Sequence, residues 1–190
     1  KQENIQDYEE KFDSIDAEAY LETIKPTDEV LFVVEGGDPI SGVILSLLEK
    51  IKNTKISILY VCPDPDVSSL VQMRDNKIVF NILQEYARSG LFKRMYLFNR
   101  TKVEELIGDV SIAEYEKSVY HFIAYMIAMT KYFDNSGSVL ESRNEPVNIA
   151  RISTFGVTSL DKRAEIRFLY PIEEEKNAHF YFGIPDEIGI

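Results

Sequence analysis

The chain has 190 residues, 45% hydrophobic and 28% charged, with 21 Lys plus Arg against 32 Asp plus Glu and a formal net charge of −11. That length suits one domain or slightly more, and it can close a hydrophobic core without staples. The acidic balance repels phosphate backbones and anionic lipid, which argues against a nucleic-acid-coating protein, and the single cysteine, Cys62, forbids an internal disulfide or a cysteine-rich zinc site.

Residues 3 to 25 read as one or two acidic helices, because Ile5, Tyr8, Phe12 and Ile15 recur at helical spacing and Pro26 stops the run. Val30-Leu31-Phe32-Val33-Val34 is an unbroken apolar run, the pattern of a strand buried on both faces of a parallel sheet. It ends in Glu35-Gly36-Gly37-Asp38-Pro39-Ile40-Ser41-Gly42, and Val43, Ile44, Leu47, Leu48 and Ile51 then mark a helix. A second strand, Ile56 to Val61, runs into the turn Cys62-Pro63-Asp64-Pro65-Asp66. The spacing predicts a long helix from about Ser68 to Arg88, with Ile78, Ile82, Leu83 and Tyr86 on one side and Gly90 placed to end it. A third strand, Arg94 to Phe98, leads to Asn99 and a short helix through Ile107. The β-α-β-α-β order predicts a mostly parallel sheet flanked by helices, with right-handed crossovers.

Ser111-Ile112-Ala113-Glu114 fits a capping box, and Tyr115, Val119, Phe122, Met126, Met129 and Phe133 recur every three or four residues to Asp134. A helix of that length is a rod of roughly 35 Å. It reads as a spine between two layers or, more plainly, as an ordinary core helix. After Gly137, Ile149 to Val157, Ala164 to Pro171 and Ala178 to Ile184 look like strands without intervening helices. The expected organisation is therefore an α/β domain over 1–110, a long core helix over 111–136 and a small β-rich layer over 137–190.

No uncharged run is long enough for a membrane span, and no segment looks like a signal peptide. With one cysteine, a cytoplasmic location is the expectation. The chain begins at Lys1 rather than Met, so either the N-terminus is processed or residues precede it. His121 and His179 show no metal-ligand spacing, and Cys62 lies in an apolar run that suits a buried thiol.

Ligands of open α/β sheets bind outside the carboxyl ends of the strands. Three such ends are visible: Glu35 to Gly42, Cys62 to Asp66, and Asn99. Gly36, Gly37, Ser41 and Gly42 offer a turn whose amides could cradle phosphate at a helix N-terminus. Asp38 adds negative charge there and Pro39 removes a donor, and the segment is neither a Walker loop nor GxGxxG. Asp64 and Asp66, with Asp38, could serve metal-assisted hydrolysis, but Pro63 and Pro65 favour a rigid turn with solvated carboxylates. No Ser/His/Asp or Cys/His set can be assembled.

From about residue 8 to 134 the order of these pieces resembles tubulin and its bacterial relative FtsZ. In that family a strand leads to the phosphate loop GGGTGSG, and here Val30 to Val34 leads to Gly36-Gly37-Asp38-Pro39-Ile40-Ser41-Gly42. The family's V-x-P-S-P-x-x-S turn is matched by Val61-Cys62-Pro63-Asp64-Pro65-Asp66-Val67-Ser68, and its guanine-reading Asn by Asn99. Its long central helix, with an aromatic residue that stacks on the base, resembles Ser111 to Asp134, with Tyr115 or Ile112 at the stacking position. The resemblance implies nucleotide contacts from Gly36, Gly37, Ser41, Gly42, Asn99 and Tyr115, GTP or GDP with Mg²⁺ as ligand, and self-association or protein partners.

Departures from the family pattern are equally specific. The family's first strand and first phosphate loop would precede residue 1, and Val119 stands where an Asp or Asn pairs with guanine if Tyr115 stacks. Val139-Leu140-Glu141 is at most a remnant of the family's acidic catalytic loop, so no catalytic residue is assigned. The expectation is a tubulin/FtsZ-like assembly or cytoskeletal-type protein with a degenerate or incomplete GTP site. The alternatives are an active tubulin-like GTPase seen as a fragment, and a non-polymerising α/β adaptor subunit of a larger complex.

Overall fold

The computed structural model describes residue 12 and residues 21–135, 151–159, 161, 165–172 and 178. Four strands, β1 (Glu29–Glu35), β2 (Lys55–Cys62), β3 (Phe92–Asn99) and β4 (Ile152–Thr154), hydrogen-bond in the order β1-β2-β3-β4, all parallel. The registers Glu35↔Val61 and Cys62↔Asn99 bring the carboxyl ends of the first three strands to one level. The chain is thus an α/β protein with a mostly parallel sheet between helices.

Two cores form because the strands bury opposite faces alternately. On one face, α1 (Val43–Lys50) and α2 (Leu70–Ser89) set Ile44, Leu48, Val79, Leu83 and Ala87 against Ile56, Ile58, Tyr60, Met95 and Leu97. On the other, α3 (Arg100–Ile107) and α4 (Tyr115–Asn135) set Val103, Val119, Ile123, Met126 and Ile127 against Leu59, Val61, Tyr96 and Phe98. Phe12 is helical, and Leu21 and Ile24 pack on the α1/α2 face; the rest of the expected N-terminal helix lies outside the described residues.

Several expectations shift once the layers are assembled. The buried stripe of α2 is Asp75, Val79, Leu83 and Ala87, one residue round from the expected Ile78, Ile82 and Tyr86, and Ile78 and Tyr86 are exposed. A capping box does occur, but at Ser69 and Gln72: Gln72 N donates to Ser69 Oγ (3.2 Å) and Ser69 N donates to Gln72 Oε1 (2.9 Å). Ser111 to Glu114 instead forms a turn in which Glu114 N donates to Ser111 O (3.0 Å), and α4 starts at Tyr115. With Tyr125 exposed, α4 is a core helix lying on one face of the sheet rather than a rod buried all round. β1 is buried on its α1 side only, because Leu31 and Val33 on the α4 side are exposed.

Beyond α4, β4 joins the main sheet beside β3. β5 (Gly156–Val157) and β6 (Arg167–Phe168) pair antiparallel as a separate two-stranded sheet, the described portion of the expected β-rich layer. The predicted strand Ala178 to Ile184 and the segment Val139-Leu140-Glu141 lie outside the described residues. Among the described residues no helix is long and apolar enough to cross a membrane.

Candidate functional site

All six residues expected at a nucleotide site fall on loops or first turns at the carboxyl end of the sheet. Within the Gly36–Gly42 segment, the backbone bonds largely to itself. Gly36 N donates to Val61 O (2.9 Å), Asp38 N to Glu35 O (3.4 Å) and Ser41 N to Asp38 O (2.9 Å). Asp38 Oδ1 accepts from Ile40 N (2.9 Å), capping the short 3₁₀ turn Pro39–Gly42. An anion at this turn would have to compete with bonds the chain already makes.

The two glycines have a packing role. A Cβ at Gly36 would lie 2.0 Å from Asn76 Oδ1 and 2.6 Å from the Tyr60 hydroxyl. Gly37 has φ of 80°, and a Cβ there would lie 2.6 Å from the Gln72 carbonyl oxygen. The turn is therefore closed by the first turns of α2 rather than opened toward a ligand. Tyr60 holds that contact: its hydroxyl donates to Asn76 Oδ1 (2.8 Å), and burial pushes its pKa upward. Ser41 and Gly42 are buried, and the Ser41 hydroxyl has no hydrogen-bond partner among the described residues.

At the second strand end, Asp64 Oδ1 accepts from Asp66 N (2.8 Å) and Asp64 O from Ser68 N (3.1 Å), which makes the segment a self-bonded turn. At the third, Asn99 N donates to Leu169 O (2.6 Å) and Asn99 Oδ1 caps α3 by accepting from Lys102 N (3.2 Å). Asn99 is the N-cap of a helix here, with its side-chain oxygen engaged.

What the strand ends converge on is Arg100, a residue that motif reasoning passed over. Its guanidinium is nearly buried and forms ion pairs with Glu35 at the end of β1 and Glu116 in the first turn of α4. Arg100 Nε donates to the Tyr115 hydroxyl (3.3 Å), and the guanidinium carbon lies 5.5 Å from the Tyr115 ring centroid and 5.9 Å from that of Tyr120. The Tyr120 hydroxyl donates to Glu35 Oε2 (2.7 Å). Burial opposes the Arg100 charge, but Glu35 and Glu116 outweigh it and raise its pKa. Burial, then the bond to Glu35, pushes the Tyr120 phenol up. Burial first and then Asp64 raise the carboxyl of Glu104.

Tyr115, the expected base-stacking residue, therefore carries a guanidinium of its own chain close to its ring. Val119, one turn on, is fully buried in the α3/α4 core. The arrangement does not fit a bound guanine nucleotide: the glycine turn is filled by α2, Asn99 caps a helix, and Tyr115 is engaged by Arg100. The signal that could have found Arg100 is its place directly after a strand-end Asn, together with Glu116 and Tyr120 at i, i+4 on one helix face.

A shallow pocket of about 170 Å³ lies elsewhere, against the outside of α3, lined by Lys102, Glu105, Leu106, Arg167 and Phe168. It is smaller than the several hundred Å³, roughly 300 and upward, of ordinary ligand sites. Among the described residues no three His, Cys, Asp or Glu side chains converge to hold a metal ion. The same carboxyl end of the sheet does present apolar surface: Ile40, Val67, Leu70, Val71 and Ile112 are all exposed. Comparisons with protein-family models, with curated proteins and with solved structures find no match.

Proposed function

We propose that this chain is a tubulin/FtsZ-like assembly protein that works by protein–protein contact at the carboxyl end of its sheet, with a degenerate nucleotide site. The observation that carries this reading is the concentration of exposed aliphatic side chains there. Leu70 is 91% exposed and Ile112 97% exposed, and Ile40, Val67 and Val71 accompany them on neighbouring turns. An apolar patch of that kind stays in water at a cost and gains by being covered. Closure of the glycine turn by α2 and of Tyr115 by Arg100 supports contact, rather than nucleotide turnover, as the work of this end.

Sedimentation of the purified chain with and without GTP and Mg²⁺, paired with a fluorescent-GTP titration, tests the reading. The expected result is concentration-dependent self-association that does not require GTP, weakened by Leu70→Glu, with no saturable nucleotide binding and no turnover. Saturable binding with polymer-dependent hydrolysis would overturn it in favour of an active GTPase. Association indifferent to Leu70→Glu would remove the proposed contact face.

A further inference from the structure

β1 is the outermost strand of the four-stranded sheet among the described residues, and its outer edge pairs with none of them. Free edges are ordinarily protected by Lys, Pro, a bulge or an inward charge along the strand. Glu29-Val30-Leu31-Phe32-Val33-Val34-Glu35 has none of these between its terminal glutamates, and its pairing with β2 shows no register shift. Beside that edge, Leu31 is 37% exposed and Val33 54% exposed, both on the α4 side of the strand. The flank of α4 nearest to them continues the apolar surface. Tyr120 and Lys131 bond to Glu35 and Glu29, which fixes the side of α4 that overlies β1, and the exposed Ala124 and Ala128 share that flank with Tyr120 at i+4 and i+8.

We infer that the outer edge of β1 pairs antiparallel with β1 of a second copy of this chain, about a twofold axis at Phe32, to make one continuous sheet across a dimer. The strand is self-complementary in that register. Leu31 falls opposite Val33 of the second copy, and Val33 opposite its Leu31, so the exposed apolar pair covers itself twice. The ends match in charge as well. At the start of β1, one carboxylate, Glu29, is held by two ammonium groups, Lys93 and Lys131, leaving a net positive charge. At the end of β1, one guanidinium, Arg100, faces two carboxylates, Glu35 and Glu116, leaving a net negative charge. Antiparallel pairing sets the positive end of each strand beside the negative end of the other, whereas parallel pairing would set like beside like. A second copy is favoured over an unrelated strand because both the side-chain register and the charge order are met by the strand itself.

This edge is distinct from the apolar carboxyl end, so the two contacts fail separately. Sedimentation velocity of the full chain over a wide concentration range should show a dimer, and Val33→Lys should weaken it about tenfold or more by placing a charge in the covered pair. Val33 is exposed in the single chain, so that variant keeps the wild-type circular dichroism and melting temperature at dilute concentration. Leu70→Glu should leave the dimer intact. In a second measurement, Leu31→Cys and Val33→Cys chains are mixed and oxidised; a disulfide between the two variants is expected, in excess over either variant with itself. A chain that stays monomeric throughout would overturn the inference. A dimer that tolerates Val33→Lys and gives no preferential mixed cross-link would overturn it too.

Discussion

Gly36 and Gly37 separate two accounts of the same turn, because a phosphate cradle and a helix-packing turn respond differently to one added methyl group. Gly37→Ala places a Cβ at φ of 80°, where its calculated position is 2.6 Å from the Gln72 carbonyl oxygen. Left-handed backbone costs an L-residue about 1–2 kcal/mol, and the contact is with α2 backbone, which cannot swing aside as a side chain can. Gly36→Ala collides with Asn76 Oδ1 at 2.0 Å and with the Tyr60 hydroxyl at 2.6 Å, the two partners of one hydrogen bond. Tyr60 is fully buried, so separating them leaves an unsatisfied hydroxyl at a cost of about 1–3 kcal/mol. Each variant is therefore expected to lose about 2 kcal/mol or more, a fall in melting temperature on the order of 5 °C for a domain of this size. Ser41→Ala in the same turn is the contrast. Its hydroxyl is buried without a partner among the described residues, so its removal should be neutral to stabilising, within about 0.5 kcal/mol. The chain has no Trp, so urea and thermal unfolding are followed by far-ultraviolet circular dichroism and tyrosine emission. Glycine variants of wild-type stability, or a Ser41→Ala variant that loses more than the glycine variants do, would refute the packing account.

Glu29 should make a pH-dependent contribution. Its bonds to Lys131 and then Lys93 hold its carboxyl down at about 2. A depressed folded pKa stabilises above the unfolded value and is lost as pH falls, so the wild-type advantage over Glu29→Gln should be full near neutrality. It should fade from about pH 4.3 down toward the folded value of about 2. Because the Glu29 side chain is 41% exposed, screening limits that advantage to about 1 kcal/mol or less; an unchanged difference at pH 2.5 would contradict the assignment. Cys62 should resist alkylation at pH 8 in the folded chain, since burial pushes its thiol up to about 12 against the pull of a hydrogen bond from Tyr170. Iodoacetamide labelling at the rate seen in urea would show the thiol to be accessible.

The order of elements was legible because its signals are local. Apolar runs marked β1, β2 and β3, Gly90 marked the end of α2, and the strand-helix alternation required parallel pairing. Faces were less legible. On α2, Ile78, Ile82 and Tyr86 form one stripe at i, i+4 and i+8, and Val79, Leu83 and Ala87 form the next at the same spacing. Only contact with the sheet decides which is buried. The apolar run of β1 suggested two covered faces, but α4 leaves Leu31 and Val33 in solvent.

The candidate site was legible as a location and illegible as a chemistry. Three turns at the strand ends could be read from Gly, Pro, Asp and Asn in the chain. The Arg100 cluster could not, because it joins Glu35, Arg100, Glu116 and Tyr120 through contacts up to 85 residues apart. A pair of glycines likewise states that the backbone needs room, without stating for what.

By itself the sequence determined the acidic charge of −11, the α/β class and the turns that meet at one end of the sheet, all consequences of composition and short-range spacing. Tertiary structure alone decided what fills that end. The room at Gly36 and Gly37 is taken by α2, and the face of Tyr115 by Arg100, because occupancy depends on which distant segments the folded sheet brings together.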